Sequence, residues 1–399
     1  MSENGKNGKE NGLEHGDVTR TTQPLSRARH TPGWFYTSPE VYALEQEHIF
    51  QKDWLCIGRL EEFEKPGDYL TLRIAEEPIV VCRDESGTLR AFYNVCRHRG
   101  TEVAIGQGNA KAFSCPYHAW TYDLQGRLKG APFMKEAENF DLKKFGLVPI
   151  QVDSWGGFVF VNFDPKAPSL LEFLGDFVQE YAPYRPEDLR IGVKFPVEFD
   201  CNWKATAENL VDIYHLAALH ATSFGPNQPV ESYKVRLTNG GYHGFFQGES
   251  NMTPDGKSLF GHMPWLSGRH LEGGYSSHLR PNMGFYARQD NIHFITEWPL
   301  GINRSMAIIY ILFPKQHLEL PDFRQRAKVY EDFFHVVVTE DRSMIQSLQR
   351  GFSSRAYQPG PMSKYEVAVH HVINYSIEKT GLANRVLGEH GPASGVARE

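Results

Sequence analysis

Hydrophobic and polar positions divide the chain into a first region of short strands and a second region in which helices and strands mix. Over residues 54–163, β-rich apolar runs are broken by turns such as 84–87, a spacing typical of a small all-β domain. After residue 165 helical periodicity appears, and residues 323–352 have the pattern of one long helix. Two strand-like runs on either side of residues 301–304 predict a hairpin. We therefore predict an α+β chain whose second region contains an antiparallel sheet.

The first 30 residues are polar, rich in Gly, Asn, Glu and Lys, and almost free of large apolar side chains. Such a segment cannot bury enough surface to offset the entropy of ordering, so we predict a disordered tail over residues 1–30. Ordered structure is predicted to begin near Pro32. Ser38-Pro39-Glu40 has the pattern of a helix start, and this helix is predicted to continue to about Phe50.

These patterns predict two domains after the tail. The first is predicted to span residues 31–165 and the second residues 166–399, with residues 31–52 packing on the second domain. The 399 residues are enough for two hydrophobic cores. A content of 41% hydrophobic and 23% charged residues is ordinary for a soluble globular protein.

Charge, hydropathy and cysteine usage exclude several classes of function. The formal net charge of −6 gives no indication of nucleic acid or an anionic membrane surface as a partner. No apolar run approaches the roughly 20 residues that span a bilayer. The N-terminus has no apolar secretion segment, so we expect a cytoplasmic protein. The five cysteines are odd in number and scattered, which argues against a disulfide framework.

Two short Cys/His pairs lie in the β-rich region. Cys96-x-His98 is followed, after sixteen residues, by Cys115-x-x-His118. Two such pairs, brought together by a hairpin-like return of the chain, make a four-ligand metal site. Zinc accepts this set structurally, and so does a [2Fe–2S] cluster with the thiolates on one iron and the imidazoles on the other. Because zinc modules are usually compact whereas these pairs sit in a β domain of about 100 residues, the context favours the cluster. A zinc-stabilised binding protein is kept as an alternative.

A second group of polar residues stands in the apolar run over residues 208–220. Asp212 and His215 are three residues apart and would share a face of a helix. His215 and His220 are five apart, which places them roughly 140° apart around an ideal helix. One metal could contact both only if a turn is widened or the helix ends near Leu219. The other interpretation is an amphipathic helix with two core histidines, and this stretch alone does not decide between them.

The two motifs, in this order, resemble the catalytic α subunit of the Rieske non-haem iron oxygenases. The resemblance covers about residues 33–375. It implies a Rieske domain followed by a helix-grip catalytic domain, in which an antiparallel sheet is flanked by helices. It also implies that a Rieske [2Fe–2S] cluster is held by Cys96, His98, Cys115 and His118, and that a mononuclear Fe(II) is held by His215, His220 and a carboxylate near the C-terminus.

The segment that contains Glu340 and Asp341 resembles the family's C-terminal Glu-Asp…Gln-x-Gly segment, which makes Asp341 the third iron ligand by match. On a helix Asp341 would share an apolar face with Met344, Ile345 and Leu348. Glu340 lies about 100° away and is expected to be solvated or salt-bridged. An exposed carboxylate pair on a surface helix is the alternative.

The resemblance also gives Asp212 a role. It is similar to the aspartate that connects a cluster histidine of one subunit to an iron-ligand histidine of the next, here His118 and His215. A carboxylate that accepts from both imidazoles fixes their tautomers and shortens the electron path. In this family the arrangement implies a homotrimer, a ring of three subunits.

The implied reaction uses dioxygen as cosubstrate and two electrons that a separate reductase, with or without a ferredoxin, takes from NAD(P)H. No Gly-x-Gly-x-x-Gly fingerprint occurs in the chain, so the donor is expected to be another protein. The outcome would be dihydroxylation, monohydroxylation or N- or O-dealkylation of a small substrate. Our first expectation is an aromatic substrate, as in aromatic hydrocarbon catabolism, and the second is a quaternary amine; a β-subunit partner is left open. A plain electron carrier would need only the first domain.

Overall fold

The computed structural model describes residues 18–238 and 241–384. Its first region is built on an antiparallel seven-stranded sheet in the order β1-β10-β9-β4-β3-β2-β5, beside a three-stranded sheet β6-β7-β8. The strands are β1 Leu55–Arg59, β2 Asp68–Ile74, β3 Glu77–Arg83, β4 Leu89–Tyr93, β5 Gln107–Asn109, β6 Phe113–Ser114, β7 Thr121–Tyr122, β8 Leu128–Gly130, β9 Pro149–Trp155 and β10 Phe158–Asn162. The predicted all-β character of this region is confirmed.

The second region contains an antiparallel seven-stranded sheet in the order β11-β17-β16-β15-β14-β13-β12. Its strands are β11 Leu189–Phe199, β12 Lys234–Thr238, β13 Gly241–Gln247, β14 Gly273–Leu279, β15 Met283–Ala287, β16 Ile292–Gly301 and β17 Arg304–Pro314. The predicted hairpin over residues 301–304 is the turn that joins β16 to β17. The boundary predicted at residue 165 falls between β10 and the first helix of this region.

Nine α-helices are assigned within the described residues. They are α1 Trp34–Thr37, α2 Pro39–Glu45, α3 Leu170–Leu174, α4 Phe177–Tyr181, α5 Trp203–Val211, α6 Arg269–Glu272, α7 Lys315–Leu318, α8 Phe323–Phe352 and α9 Val367–Thr380. Ser38 caps α2 by accepting from the N–H groups of Glu40 and Val41, as its pattern predicted. The helical path continues to the predicted end at Phe50, with π-type pairing over Gln46–Phe50. The predicted α+β fold, with helices flanking an antiparallel sheet, is confirmed. None of the described helices combines the length and the apolar character needed to cross a membrane.

The two regions share buried contacts. The backbone N–H and C=O of Cys56 pair with the Asn282 side chain at 3.0 Å each. The Arg59 guanidinium donates to carbonyl groups on both sides, at Gly156 and Leu189. Residues 34–50 also contact α5: the Trp203 indole N–H donates to Glu45 at 2.9 Å. The site described below therefore sits in a domain that is firmly attached to its neighbour.

The predicted tail needs a correction. Residues 1–17 lie outside the described part of the chain, but residues 18–30 are ordered and pack against the C-terminal part of the second region. Val18 and Ala28 are buried, and His30 forms an ion pair with Glu366 at 3.0 Å. The prediction failed here because the segment is held mainly by hydrogen bonds and this ion pair, which a count of apolar residues does not register.

Candidate metal centres and substrate cavity

The helix that carries the first candidate ligands ends earlier than predicted. Asn202 caps the start of α5 by accepting from the Lys204 N–H, and the helix ends at Val211. Asp212 Oδ1 then accepts from the Tyr214 N–H at 2.7 Å, a local bond that competes with helical pairing. A short 3₁₀ turn follows over Tyr214–Ala217. One regular helix does not carry both histidines, as predicted, but the break precedes His215 instead of falling near Leu219.

This break lets three residues converge. His215, His220 and Asp341 each offer one ligand atom, and these atoms all lie within 4.8 Å of one another. Asp341 Oδ1 is 3.6 Å from His215 Nε2 and 3.1 Å from His220 Nε2, yet it is buried and accepts no hydrogen bond. Two imidazoles and a carboxylate on one side of a site are the donor set that non-haem iron takes with open positions for other ligands. The residues fit such a metal.

Both histidines are oriented from behind by carboxylates. The Nδ1 of His215 lies 3.0 Å from Asp212 Oδ2, and the Nδ1 of His220 lies 2.7 Å from Glu340 Oε2. Each carboxylate favours a proton on Nδ1, which leaves the Nε2 lone pair free for a metal. Burial alone would lower the pKa of His220, but the negative charges of Asp341 and Glu340, together with the hydrogen bond to Glu340, raise it above its ordinary value. Ser223 donates to Glu340 at 2.8 Å and so holds that carboxylate in place.

Helix α8 presents Asp341 toward the site on a different face from the one predicted. Ile345 is buried, but Met344 and Leu348 are about half exposed, at 47% and 50%. The buried face instead follows Tyr330, Phe334, Val337 and Ile345, with Asp341 in the same row. The apolar residues nearest in sequence suggested the wrong stripe, because two of them are exposed leucine and methionine side chains. Glu340 is salt-bridged, as expected, but its partner is a candidate ligand 120 residues away, which the sequence did not indicate.

The four residues predicted to bind the cluster lie on two matching turns. The Gly100 N–H donates to Cys96 O and the Ala119 N–H donates to Cys115 O, each at 2.9 Å. Gly100 and Ala119 both have positive φ, at +83° and +56°. Both cysteines are buried, at 3% exposure. The turns therefore place the two thiols beneath the surface in the same way.

The histidines of these turns lie at the surface above the thiols. The rings of His98 and His118 are 4.6 Å apart between centroids, and His98 stacks on the buried Trp120. The Tyr122 hydroxyl contacts Cys96 Sγ at 3.4 Å. Buried thiols and exposed imidazoles fit a cluster with one inner and one outer iron. Tyr117 is 56% exposed, and its ring centroid lies 3.8 Å from that of His118.

A cavity of about 100 Å³ adjoins the His215, His220 and Asp341 set, between the helices and the second sheet. Its walls include strand residues within 284–313 and Phe224. Six aromatic residues line it: Phe199, Phe224, Tyr233, Tyr242, Tyr286 and Phe334. His293 is buried in its wall and stacks on Tyr286 at 4.8 Å between ring centroids. Burial and the charge of Arg288 hold the pKa of His293 well below its ordinary value, so this imidazole is neutral.

One acidic side chain is buried in the cavity wall. Glu297 is 1% exposed, and its Oε2 lies 3.1 Å from Nε2 of His278. Its Oε1 is buried and has no hydrogen-bond partner. Glu297 was not identified from sequence, since a single glutamate in a strand has no distinguishing pattern. It gives this end of an aromatic cavity a negative charge.

Comparisons with known proteins agree with these two centres. A family model described as "Rieske [2Fe-2S] domain" matches residues 53–146, and one described as "Ring hydroxylating alpha subunit (catalytic domain)" matches residues 186–379. A carnitine monooxygenase oxygenase subunit from Acinetobacter pittii is 30% identical over 338 residues, covering 82% of this chain and 86% of the relative. A glycine betaine monooxygenase oxygenase subunit from Pseudomonas aeruginosa is 30% identical over 387 residues, covering 87% and 88%. A solved quaternary ammonium Rieske monooxygenase superposes with a TM-score of 0.79 at 28% identity, covering 93% of this chain and 100% of that one.

Proposed function

Because the chain belongs to the Rieske non-haem iron oxygenases as a catalytic α subunit, we propose that it hydroxylates a quaternary amine at a carbon bonded to nitrogen. As a member of this family it is an oxidoreductase with a Rieske [2Fe–2S] cluster and a mononuclear iron, and it uses dioxygen and reductase-supplied electrons. The relatives described above act by name on carnitine and glycine betaine. They favour the second substrate class expected from the sequence over the first, and they give no support to aromatic hydrocarbon catabolism.

The proposal assigns the two metal centres to the residues that converge. Cys96, His98, Cys115 and His118 hold the cluster, and His215, His220 and Asp341 hold the iron. The matching turns around the cysteines and the unpaired Oδ1 of Asp341 support this assignment. When bound, the cluster supplies single electrons and the iron supplies dioxygen activation. Asp212 and Glu340 keep the two ligand imidazoles in one tautomer and orientation.

The observation that carries the substrate proposal is the aromatic cavity with a buried carboxylate beside these ligands. A quaternary ammonium has no N–H to donate, so it is stabilised by aromatic faces and by a nearby negative charge. The aromatic walls and the unpaired oxygen of Glu297 offer both. A neutral aromatic substrate would leave the buried Oε1 of Glu297 with neither a donor nor a cation beside it.

The overall reaction balances with the family's reactants. The substrate, one dioxygen, two electrons and two protons give one water and a product in which the carbon on nitrogen carries a hydroxyl group. The C–N bond of that product then breaks, releasing a tertiary amine, a carbonyl compound and one proton. The role of the chain is to hold the N-alkyl carbon toward His215, His220 and Asp341 and to exclude water from the cavity.

We further propose that the enzyme is a homotrimer in which electrons cross between subunits. Asp212 accepts a hydrogen bond from His215, and its side chain is 21% exposed. A neighbouring subunit can therefore reach its carboxylate. In the proposed ring that neighbour's group is His118, an exposed histidine. Inter-subunit electron transfer is known for the quaternary ammonium Rieske monooxygenase of solved structure, which supports the same route here.

A product screen tests the substrate proposal. The purified protein, loaded with iron and sulfide and paired with a reductase of this family, would be supplied with quaternary amines, N-alkyl aromatics and aromatic acids. We expect oxygen uptake with equimolar tertiary amine and carbonyl product from at least one quaternary amine. Turnover of an aromatic compound with none on the amines would contradict the proposal. A Glu297→Gln variant should raise KM for the amine roughly 10-fold or more, because the charge facing the cation is removed.

A further inference from the structure

A buried arginine lines the cavity without an acidic partner. Arg288 is 2% exposed and forms no ion pair with any acidic residue in the described part of the chain. Its guanidinium donates to the carbonyl groups of Tyr275 and Ala287, the latter at 3.2 Å, and Nη2 lies 3.5 Å from Ser276 Oγ. Its Nε is buried and has no acceptor. A buried cation normally needs a counter-charge, so this arrangement is incomplete.

The other fully buried arginine shows what a structural role requires. Arg59 is also 2% exposed. Its guanidinium donates to three backbone carbonyl groups and lies 3.6 Å from a carboxylate oxygen of Glu61. Arg59 thus has a carboxylate oxygen within ion-pair distance, whereas the buried Asp290 acts on Arg288 only from beyond that distance in the described part of the chain.

Arg288 belongs to a polar end of an otherwise aromatic cavity. This polar end consists of Arg288, Ser276, Tyr233 and Gln228, all of which line the cavity. The Tyr233 hydroxyl contacts both Gln228 and, at 3.3 Å, the Ser276 hydroxyl. The ring of Phe246 lies under the guanidinium at 4.9 Å from its centroid. A planar fork of donors flanked by hydroxyl groups is suited to a carboxylate.

The polar end and the metal ligands are set apart along the sheet, because β16 begins after Arg288 and runs past His293 toward the turn at residues 301–304. In helix α8, Phe334 packs on His293, with 5.0 Å between the ring centroids. From Phe334 the helix runs toward the turn at residues 301–304, which Gln349 contacts through Asn303. Asp341 therefore lies about 10 Å beyond Phe334 in that direction. Arg288 lies on the other side of His293, in the turn that joins β15 to β16. A ligand that reaches both ends must be extended.

We infer that Arg288 binds a carboxylate of the substrate, so that the enzyme selects zwitterions whose carboxylate is several bonds from the quaternary nitrogen. The inference rests on the proposed function and adds a specificity-determining residue to it. The cation lies among the aromatic walls near Glu297, and the carboxylate takes the guanidinium fork at the polar end. Small cations without a carboxylate leave Arg288 uncompensated and bind weakly.

Two ligands with the same cation test this inference on the holoenzyme. The first is 4-trimethylammoniobutanoate, and the second is n-pentyltrimethylammonium, which lacks the carboxylate. Turnover would be measured by oxygen uptake and tertiary amine release, and binding by the shift in melting temperature. We expect the wild type to prefer the zwitterion in kcat/KM by roughly 10- to 100-fold, as for a charged hydrogen-bonded pair. In Arg288→Met this preference should disappear through a higher KM for the zwitterion alone.

The outcomes separate the two proposals. If the wild type uses both amines equally well, the inference about Arg288 fails while the quaternary-amine function stands. If it uses neither of these two amines nor any quaternary amine of the product screen, the proposed function itself fails. Arg288→Lys should keep part of the preference, because it retains the charge but not the fork. If Arg288→Met does not fold, Arg288→Lys carries the test, because a zwitterion preference of full wild-type size in that variant would contradict the role of the guanidinium.

Discussion

At the scale of single residues, the candidate iron site depends on the carboxylates that hydrogen-bond to the ligand histidines as well as on the ligands themselves. His215 is held by Asp212 and His220 by Glu340, each through Nδ1. Without these carboxylates each imidazole could exchange its proton between the two nitrogens, and Nε2 would be free for a metal only part of the time. Glu340 is therefore a positioning residue in the proposed site.

Replacing Glu340 tests this positioning role. Glu340→Leu should lower the affinity for iron roughly 10- to 100-fold, the usual cost of losing a carboxylate behind a ligand histidine. Glu340→Gln should lose less, because the amide oxygen still accepts from Nδ1. The measurement is an iron titration followed by turnover at saturating iron. Asp332→Asn, a change at an exposed residue of the same helix whose carboxylate pairs with Lys328, is the control; equal iron affinity in all four proteins would refute the role.

The residues missed from the sequence share one property. The Cys/His pairs and the Asp212–His220 run are short-range patterns, so spacing alone indicated them. Glu340, Glu297 and Arg288 matter because of partners on other elements, and such pairings become visible only when the chain is folded. The face of α8 was predicted wrongly for a related reason: Met344 and Leu348 are apolar but exposed, and only packing tells an exposed leucine from a buried one.

At the scale of elements, two turns of the first domain form a matched pair. Asp84 and Asp123 each cap a turn of the same hydrogen-bond pattern, with Gly87 and Gly126 at φ of +82° and +79°. A Cβ on Gly87 would meet nothing within 4 Å, whereas one on Gly126 would lie 2.4 Å from the Phe92 ring. The pair separates the cost of the left-handed conformation from the cost of crowding the core near the cluster.

Alanine at these two glycines should destabilise to different extents. Gly87→Ala should cost about 1 kcal/mol, the strain of a positive φ. Gly126→Ala should cost roughly 1–3 kcal/mol more, because Phe92 is buried and must shift. Thermal melting followed at the visible absorbance of the cluster would report both values. Similar melting temperatures for the two variants would show that Phe92 can move freely.

Helix α5 carries a titrating group on the side away from the cavity. The Tyr36 hydroxyl contacts both carboxylate oxygens of Glu208 at 2.9 Å. Burial raises the pKa of Glu208 to about 7, against the lowering effects of His30, Tyr36 and Lys204. The folded state thus holds this proton more tightly than the unfolded state. Stability should fall as the pH rises from about 4.5 to about 7, and the loss should persist above that range.

Glu208→Gln removes this titration. At pH 8 we expect the variant to be more stable than the wild type by about 1–2 kcal/mol, after allowing for the partial exposure of the site. Below about pH 3.5 the difference should vanish, because the wild-type carboxyl is then protonated in both states. Melting temperatures across this range, with the exposed Glu198→Gln as control, measure it. A difference that does not change with pH would contradict the raised pKa.

At the scale of the whole molecule, the sequence predicted the order and type of the domains but not their attachment. Strand and helix periodicity are local, so both sheets and the bounds of α8 followed from the pattern. The docking of residues 18–30 and the pairing of Cys56 with Asn282 depend on single polar contacts between distant segments. The same holds between subunits, where the proposed contact of Asp212 with a neighbour has no signal in one chain.

Mixed assemblies test whether electrons cross between subunits. Cys96→Ser removes the cluster and keeps the iron site, whereas His215→Ala removes the iron site and keeps the cluster. Each variant alone should be inactive. Co-expressed in equal amounts, they should regain roughly a quarter of the wild-type activity, because every mixed trimer contains one intact cluster next to one intact iron site in the required direction. If electrons moved only within a subunit, no activity would return.

The position of Asp212 makes this test specific. Because Asp212 contacts His215 of its own chain, the bridge belongs to the subunit that contributes the iron site. Asp212→Asn added to the Cys96→Ser chain should therefore abolish the regained activity, since an amide cannot accept from both imidazoles as a charged carboxylate does. The same change added to the His215→Ala chain should leave it intact. Equal effects in the two chains would refute the bridge while leaving the trimer itself in place.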